Sequence, residues 1–543
     1  MITLASTSSS SLAALSELAS YAGVGDALAT GAEASPLQPA STAHGPWGLA
    51  VWALVGVYIL LVAVLALYGM HRGMLVSTCW RRRSKLKEIE RSIHVPEDEL
   101  PRVTIQLPLF NEASVAQRLI EHCAAIDYPR DRLEIQVLDD STDETASIAR
   151  HACERIAKTG VDVVYIHRTD RSGYKAGALA AGLEVAKGTL VAIFDADFLP
   201  QPDFLRAVVG HFTDGQVGCV QARWGHMNRE HSMLTRVQAL MLDGHHMVDN
   251  RARWVNNHLF NFSGTGGIWR VQAIHDAGGW EHDTLTEDLD LSYRAQMKGW
   301  KFVYRPDVVT PSELPEEMSA FRAQQFRWAK GTVQSARKLL KPIWQCERLT
   351  FAQKLEATYH LTPHFTSPLM LVLSVLLLPM LAVLPGTDPR SMFLVDLPLA
   401  FCTTGSLAAF YMHAESAQGR SPLVALRRLP ALMALGTGMA PWVTKAVLEG
   451  LRSMAGEFVR TPKKGTDGDT RYQAKIKVPV AETVLALVSL ASTIAALQNG
   501  HWFAAPFAAL FTFGYAYVAT LLTAEQLERR RAARRSLFPG IPA

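Results

Sequence analysis

At 543 residues the chain exceeds one small domain and calls for two or more modules. Charged residues make up 19% and mean hydropathy is slightly positive, which points to a protein lying partly in a bilayer. A net charge of only +4 gives no footing for nucleic-acid binding, and six cysteines without a CxxC pair exclude a zinc site or a disulfide framework.

Residues 1–46 are rich in Ser, Ala, Thr and Gly and bury too little apolar surface to fold, so a disordered N-terminal tail is expected. A signal peptide is the weaker reading, because no basic stretch precedes an apolar one. Trp47 to Met70 is uncharged and long enough to cross a bilayer about 30 Å thick at 1.5 Å per residue. The Arg81–Arg83 cluster with Lys85 and Lys87 then places its exit in the cytoplasm.

A soluble module is expected over 95–345. Within it, short β-branched runs alternate with helical stretches: 103–108, a helix near 113–126, 133–140, a helix near 143–158, 161–167, a helix over 175–187, and 189–197. Near-continuous apolar strands separated by helices predict a parallel sheet covered on both faces, with ligands beyond the carboxyl ends of its strands. Amphipathic interface helices follow at 319–360. Two spans are expected within 363–413, near 364–384 and 393–413, and two more within 478–523, near 479–498 and 501–523. A basic cytosolic tail, 524–543, carries Arg529–Arg531.

Residues 429–457 start apolar but meet Pro441, Lys445, Glu449 and Arg452. If they spanned, Lys463, Lys464, Arg471, Lys475 and Lys477 would face outward, against the positive-inside bias. They are therefore read as interface helices, a sixth span being the alternative. Five spans return both flanking basic clusters to the side of the soluble module.

The chemistry collects at strand ends. Asp139-Asp140 closes one strand and Asp195-Ala196-Asp197 another. Two carboxylates one residue apart suit a hard divalent cation that also takes diphosphate oxygens, although solvated turn acids are common in such places. Lys175, just before a helix, suits phosphate together with the backbone N–H groups there. Thr286-Glu287-Asp288 stands at a helix start, where capping accounts for the acids as well as catalysis does. In Gln324-Gln325-Phe326-Arg327-Trp328 an indole can stack on a pyranose while Arg and Gln reach hydroxyls or phosphate; an interfacial membrane anchor is the plainer account.

Taken in order, Asp139-Asp140, Asp195-x-Asp197, Thr286-Glu287-Asp288 and Gln324-x-x-Arg327-Trp328 resemble the D, DxD, TED, QxxRW signature of family 2 glycosyltransferases of the cellulose synthase and cellulose synthase-like type. Pro108 to Glu112 (PLFNE) and Ser263 to Gly267 (SGTGG) agree with it, and the likeness covers about 47–525. It implies an α/β, Rossmann-like GT-A domain (nucleotide-diphospho-sugar transferase) in the cytosol, inserted in an α-helical transmembrane domain. It also implies Asp288 as general base, beside Thr286 and Glu287, and Mg²⁺ or Mn²⁺ on Asp195 and Asp197. Pro108, Glu112, Asp139, Asp140, Lys175 and Asp195 would bind donor. Gln324, Arg327 and Trp328, with Gly264 and Thr265, would bind acceptor.

Residues 458–465 are similar to the family's FxVTxK gating loop through Phe458, Thr461 and Lys463, with Arg460 departing from the motif; a solvated basic loop is the alternative. The chain ends at Ala543, without room for the cyclic-di-GMP-binding PilZ domain of bacterial cellulose synthases, and looks closer to the mannan and glucan synthases.

The resemblance implies a multi-pass plasma (inner) membrane enzyme, a metal-dependent, inverting and processive hexosyltransferase. It would extend a β-linked polysaccharide and move it across the lipid bilayer. UDP-glucose is the first choice of donor and GDP-mannose the second. A non-processive enzyme making a glycolipid, like ceramide glucosyltransferases, is the rival; a membrane scaffold with a dead transferase domain is the reading from outside enzymology.

Overall fold

The computed structural model describes residues 48–90, 92–383, 400–454, 456 and 478–537. The expected tail 1–46 and gating loop 458–465, with Phe458, Arg460, Thr461 and Lys463, lie outside the described residues, as does the first part of the expected span 393–413.

Seven strands form one sheet in the order β3-β2-β1-β4-β6-β5-β7. They are β1 Val103–Leu109, β2 Leu133–Asp139, β3 Asp162–His167, β4 Leu190–Ile193, β5 Val217–His226, β6 Gly267–Arg270 and β7 Lys301–Ser312. β1 to β4 are parallel, as the alternation of strands and helices predicts. The wholly parallel sheet does not hold, because β6 runs antiparallel to both β4 and β5. β6 enters the sheet directly from the Ser263–Gly266 loop, and that loop stands at the carboxyl end of β4: Gly266 N–H donates to Ile193 O at 2.9 Å.

β1 and β2 alternate more than their apolar content suggests. Val103, Ile105 and Leu107 pack under the helices Ala113–Ala124 and Thr145–Ala157. Thr104 and Gln106 turn to the other face and are buried there. In register they meet Glu134 and Gln136: Thr104 Oγ1 donates to Glu134 at 2.6 Å and Gln106 Nε2 to Gln136 at 3.1 Å. The pairing satisfies Thr104 and Glu134 but only half of each glutamine, since Gln106 Oε1 and Gln136 Nε2 stay buried without a protein partner. The small-residue helix Tyr174–Glu184 covers this face together with Glu287–Met297.

Among the described residues five helices are long and apolar enough to cross a membrane: Gly48–Arg81, Pro363–Ala382, Pro422–Arg452, Val480–Gln498 and Ala504–Arg531. Where one or two interface helices are expected at 429–457, a single continuous helix of 31 residues, Pro422–Arg452, starts earlier and ends at Arg452. Its charges sit toward its two ends and leave an apolar middle. Both ends are nevertheless tied to the sheet-bearing module. Arg428 pairs with Glu230 at 3.1 Å, Glu449 with Lys330 at 3.2 Å, and Gly450 O accepts from Arg337 at 2.8 Å.

Three of the other long helices, and the shorter helix Ser406–Ser416, also reach that module. His71 of Gly48–Arg81 bonds Glu356 at 2.7 Å, and Glu415, ending the helix Ser406–Ser416, pairs with Arg229 at 2.6 Å. Glu482, opening Val480–Gln498, pairs with Arg322 at 3.0 Å, and Arg529 pairs with Glu317 at 2.7 Å.

Candidate active site

The carboxyl ends of β1, β2 and β4 open onto one cavity of ≈ 200 Å³. From β1 and its turn come Pro108, Phe110 and Glu112, and from the end of β2 comes Asp140, held by a two-pronged Arg168 contact at 2.8 and 2.6 Å. Asp139 does not reach the cavity. Successive strand residues face opposite sides, so Asp139 points into the protein, fully buried. There it accepts from Tyr165 Oη at 2.6 Å and from Ser141 N–H at 3.0 Å. Asp139 thus stands behind the cavity, away from the donor-binding residues with which the sequence grouped it.

Asp195 and Asp197, beyond β4, both line the cavity. Lys175 reaches Asp195 from the first turn of helix Tyr174–Glu184: its ammonium donates to Asp195 Oδ1 at 2.5 Å and to Gly264 O at 2.8 Å. Two carboxylate donors facing open space fit a hard divalent ion that completes its shell with phosphate oxygens. A convergent acid trio elsewhere, Glu281, Asp283 and Asp290, is bridged on all three sides by the Lys338 ammonium.

The Ser263–Gly266 loop forms the far wall. Gly264 lines the cavity, at φ 82°, and a Cβ there would lie 2.9 Å from Asp288 Oδ2. Thr265 is buried behind it, its Oγ1 accepting from Asp195 N–H at 2.9 Å. Thr265 is thus tied to the Asp195 backbone and does not line the cavity where it was expected to meet acceptor.

Thr286, Glu287 and Asp288 stand at the start of helix Glu287–Met297. Helix Met318–Gln345 presses on them through Gly331, where a Cβ would come within 2.7 Å of Thr286 Cγ2, and Thr286 Oγ1 meets Ser335 Oγ at 3.0 Å. That packing brings Gln324, Arg327 and Trp328 into the same cavity wall as Asp197 and Asp288. Arg327 is close enough to feel the charges of Glu287, Asp195 and Asp288.

Burial, reinforced by the adjoining Glu287 carboxylate, pushes the Asp288 carboxyl up to about 7; burial raises Glu287 as well. A general base works best with a pKa near the operating pH. Transfer should therefore rise with pH and level off above about 7, and Glu287→Gln should move that inflection to lower pH by removing a like charge. Rate profiles of kcat/KM against pH for both proteins check this.

Phe110, under the Arg171 guanidinium (3.3 Å from ring centre to Cζ), and Ser263 join the wall from the PLFNE and SGTGG stretches without having been singled out. Trp224 and the acidic segment Glu313–Glu317 belong to no spaced motif, and only the fold brings them to the wall. A second cavity of ≈ 330 Å³ adjoins the first across Ser263, Asp288, Gln324 and Trp328. It extends to Tyr68 and His71 of helix Gly48–Arg81 and to Pro363, where helix Pro363–Ala382 begins.

Residues 101–331 match the family described as "Glycosyltransferase like family 2". The chain is similar to glucomannan 4-beta-mannosyltransferase 1 of Oryza sativa subsp. japonica, 40% identical over 56% of this chain and 61% of that protein. It is also similar to glucomannan 4-beta-mannosyltransferase 2 of Arabidopsis thaliana, 41% identical over 53% and 55% respectively. The matched stretch is thus between half and two thirds of either relative's length. Among solved structures it is similar to the mannosyltransferase PcManGT from Pyrobaculum calidifontis in complex with GDP-Man and Mn²⁺, 24% identical, covering 66% of this chain and 97% of that one, at a TM-score of 0.46.

Proposed function

We propose that this chain, whose residues 101–331 match the family described as "Glycosyltransferase like family 2", is a cellulose synthase-like transferase of GT-A fold that extends a β-linked mannose-containing polysaccharide by processive, inverting transfer from a nucleoside diphosphate sugar. The observation that carries this reading is the placement of Asp197, Asp288 and Trp328 in one cavity wall, with a second cavity leading from Trp328 to the ends of membrane-length helices.

Asp288 takes the proton of the acceptor hydroxyl, and that oxygen attacks C1 of the donor sugar from the side opposite the diphosphate. The C1–O bond to phosphate breaks, so configuration at C1 inverts. Lys175 and Arg327 bring positive charge to the leaving diphosphate, where preorganised charge is most effective. Asp197, with Asp195, would hold Mg²⁺ or Mn²⁺, which when bound supplies Lewis-acid stabilisation of the leaving group. Phe110, Glu112 and Asp140 form the nucleotide end of the cavity, and Trp328 offers the acceptor sugar an indole face. On the nucleotide side, Asp140 works through the oxygen lone pairs that Arg168 leaves free.

Support for a mannosyl donor comes from the relatives, which are mannosyltransferases; GDP-mannose therefore replaces UDP-glucose as first choice. A multi-pass reading is supported by Gly48–Arg81, Val480–Gln498 and Ala504–Arg531, which each meet the catalytic module with one end; Pro363–Ala382 is a fourth candidate span, and the fifth, 393–413, lies partly outside the described residues. Helix Pro422–Arg452, tied to that module at both ends, stays on its side of the bilayer as an interface helix.

Membranes containing the protein, supplied with GDP-mannose or UDP-glucose and Mg²⁺ or Mn²⁺, should make a polymer from GDP-mannose that β-mannanase digests. A chelator should stop synthesis and Mn²⁺ should restore it. A product of one sugar per lipid would replace the polymer reading with the glycolipid one.

A further inference from the structure

We propose that Lys338 is a positioning residue for Asp288, a built-in cation that ties the helix of Asp288 to the helix of Arg327 and Trp328; this rests on Asp288 being the base, as read above. Along helix Met318–Gln345, Arg327, Trp328, Gly331, Gln334, Ser335 and Lys338 follow helical spacing and share one face. The first two line the catalytic cavity. Beyond them Gly331 lies against Leu285 and Thr286, Gln334 Oε1 accepts from Leu285 N–H at 3.0 Å, and Ser335 Oγ meets Thr286 Oγ1 at 3.0 Å. Lys338 closes the row, about 15 Å from Trp328 along a helix rising about 1.5 Å per residue.

Lys338 grips the segment that carries Thr286, Glu287 and Asp288 from both sides. Its ammonium meets Glu281 at 2.5 Å and Asp283 at 2.7 Å before them, and Asp290 at 3.1 Å after them. Its three N–H donors thus face three carboxylates. Asp288 and Asp290 stand two residues apart on helix Glu287–Met297, about 200° around its axis. Asp288 lines the cavity, and Asp290, fully buried, turns the other way to Lys338. Holding Asp290 therefore fixes how Asp288 is turned toward the reacting sugars.

The charge of Lys338 matters as much as its place. Asp290 is wholly removed from solvent, and its Oδ1 has no protein hydrogen-bond partner. A buried carboxylate deprived of its cation is strongly destabilising, so the Asp290 helix stays where the ammonium is. Arg294 also pairs with Asp290, at 2.8 Å, but it stands one turn on along the same helix and cannot fix that helix to its neighbour. Lys338 crosses between the two helices. It sets the register between the group that takes the proton and the residues that face the acceptor.

The test measures transfer from GDP-mannose with Mn²⁺ by the full chain in membranes. Lys338→Ala should lower kcat about thirtyfold, the scale of a sub-ångström misplacement of a reacting group, and leave donor KM within about twofold. Propylammonium, which replaces the atoms removed, should raise the kcat of that variant about tenfold, and KCl at the same ionic strength should not. The amine can enter, because Glu281 and Asp283 are 41% and 48% exposed. In an Asp288→Asn background, with no base left to place, Lys338→Ala should cost no more than about twofold. Glu281→Gln leaves Asp290 paired and decides the matter if Lys338→Ala does not fold; it should lower kcat about threefold at unchanged donor KM. A folded Lys338→Ala with normal kcat, a loss that propylammonium leaves in place, or losses that multiply in the double variant each overturn the assignment and leave Asp288 as base. So does a Glu281→Gln enzyme that matches wild type when Lys338→Ala does not fold. An Asp288→Asn enzyme that turns over normally overturns the base itself, whatever Lys338 does.

Discussion

Asp288→Asn should lower sugar transfer by about 10³-fold, within the 10²–10⁴-fold usually lost with a general base, while donor affinity changes by no more than about twofold. Asparagine keeps the shape and still accepts from Leu289 N–H, as Asp288 Oδ1 does at 2.9 Å, but it cannot take a proton. The same change should stabilise the fold at higher pH. The Asp288 carboxyl holds its proton up to about 7 in the folded protein against about 4 when unfolded, so both states are protonated below that lower value and the cost is absent. As pH rises the unfolded chain ionises first, and above about 7 the fold carries the full penalty of a buried carboxylate beside Glu287. The melting temperature of Asp288→Asn should therefore exceed that of wild type by more at about pH 8 than at about pH 5. Unchanged turnover would remove Asp288 from catalysis; a stability gap that shrinks with pH would contradict the burial argument.

Gly264→Ala should cost about 100-fold in kcat/KM, the scale of an ångström-sized displacement of a reacting group. Two effects meet at this residue. Its φ of 82° disfavours a side chain by about 1–2 kcal/mol, and the new Cβ would push on Asp288 Oδ2 from 2.9 Å and on Lys175 Nζ from 3.7 Å. Gly266→Ala separates them. Gly266 also has a positive φ, of 68°, but a Cβ there meets nothing nearer than Thr310 Oγ1 at 3.5 Å. Both variants should lose stability by similar amounts in thermal unfolding, and only Gly264→Ala should lose activity on this scale. Equal losses of activity would reduce the loop to backbone strain.

The order of motifs along the chain was enough to name the chemistry. Acids at the ends of apolar runs, a TED at a helix start and an Arg-Trp pair on a long helix are local patterns, set by residues within a turn or two of each other. The first four strands were legible for the same reason, since period and composition mark them one at a time. Orientation was less so. Asp139 and Asp140 are neighbours in sequence, yet strand pleat sends one into the core and the other into the cavity, and the register of β2 against β3 decides which. Thr265 and Gly264 divide in the same way, one buried beneath Asp195 and the other against Asp288.

What the sequence determined by itself was therefore the family it resembles and the candidate residues, most of which the fold gathers at one cavity, because these are written in short spacings. Only the tertiary structure decided that β6 turns antiparallel, that helix Pro422–Arg452 is tied at both ends to the sheet-bearing module, and that a second cavity adjoins the first at Trp328. Those outcomes depend on contacts between residues far apart in the chain, and no local pattern of side chains encodes the packing that selects them.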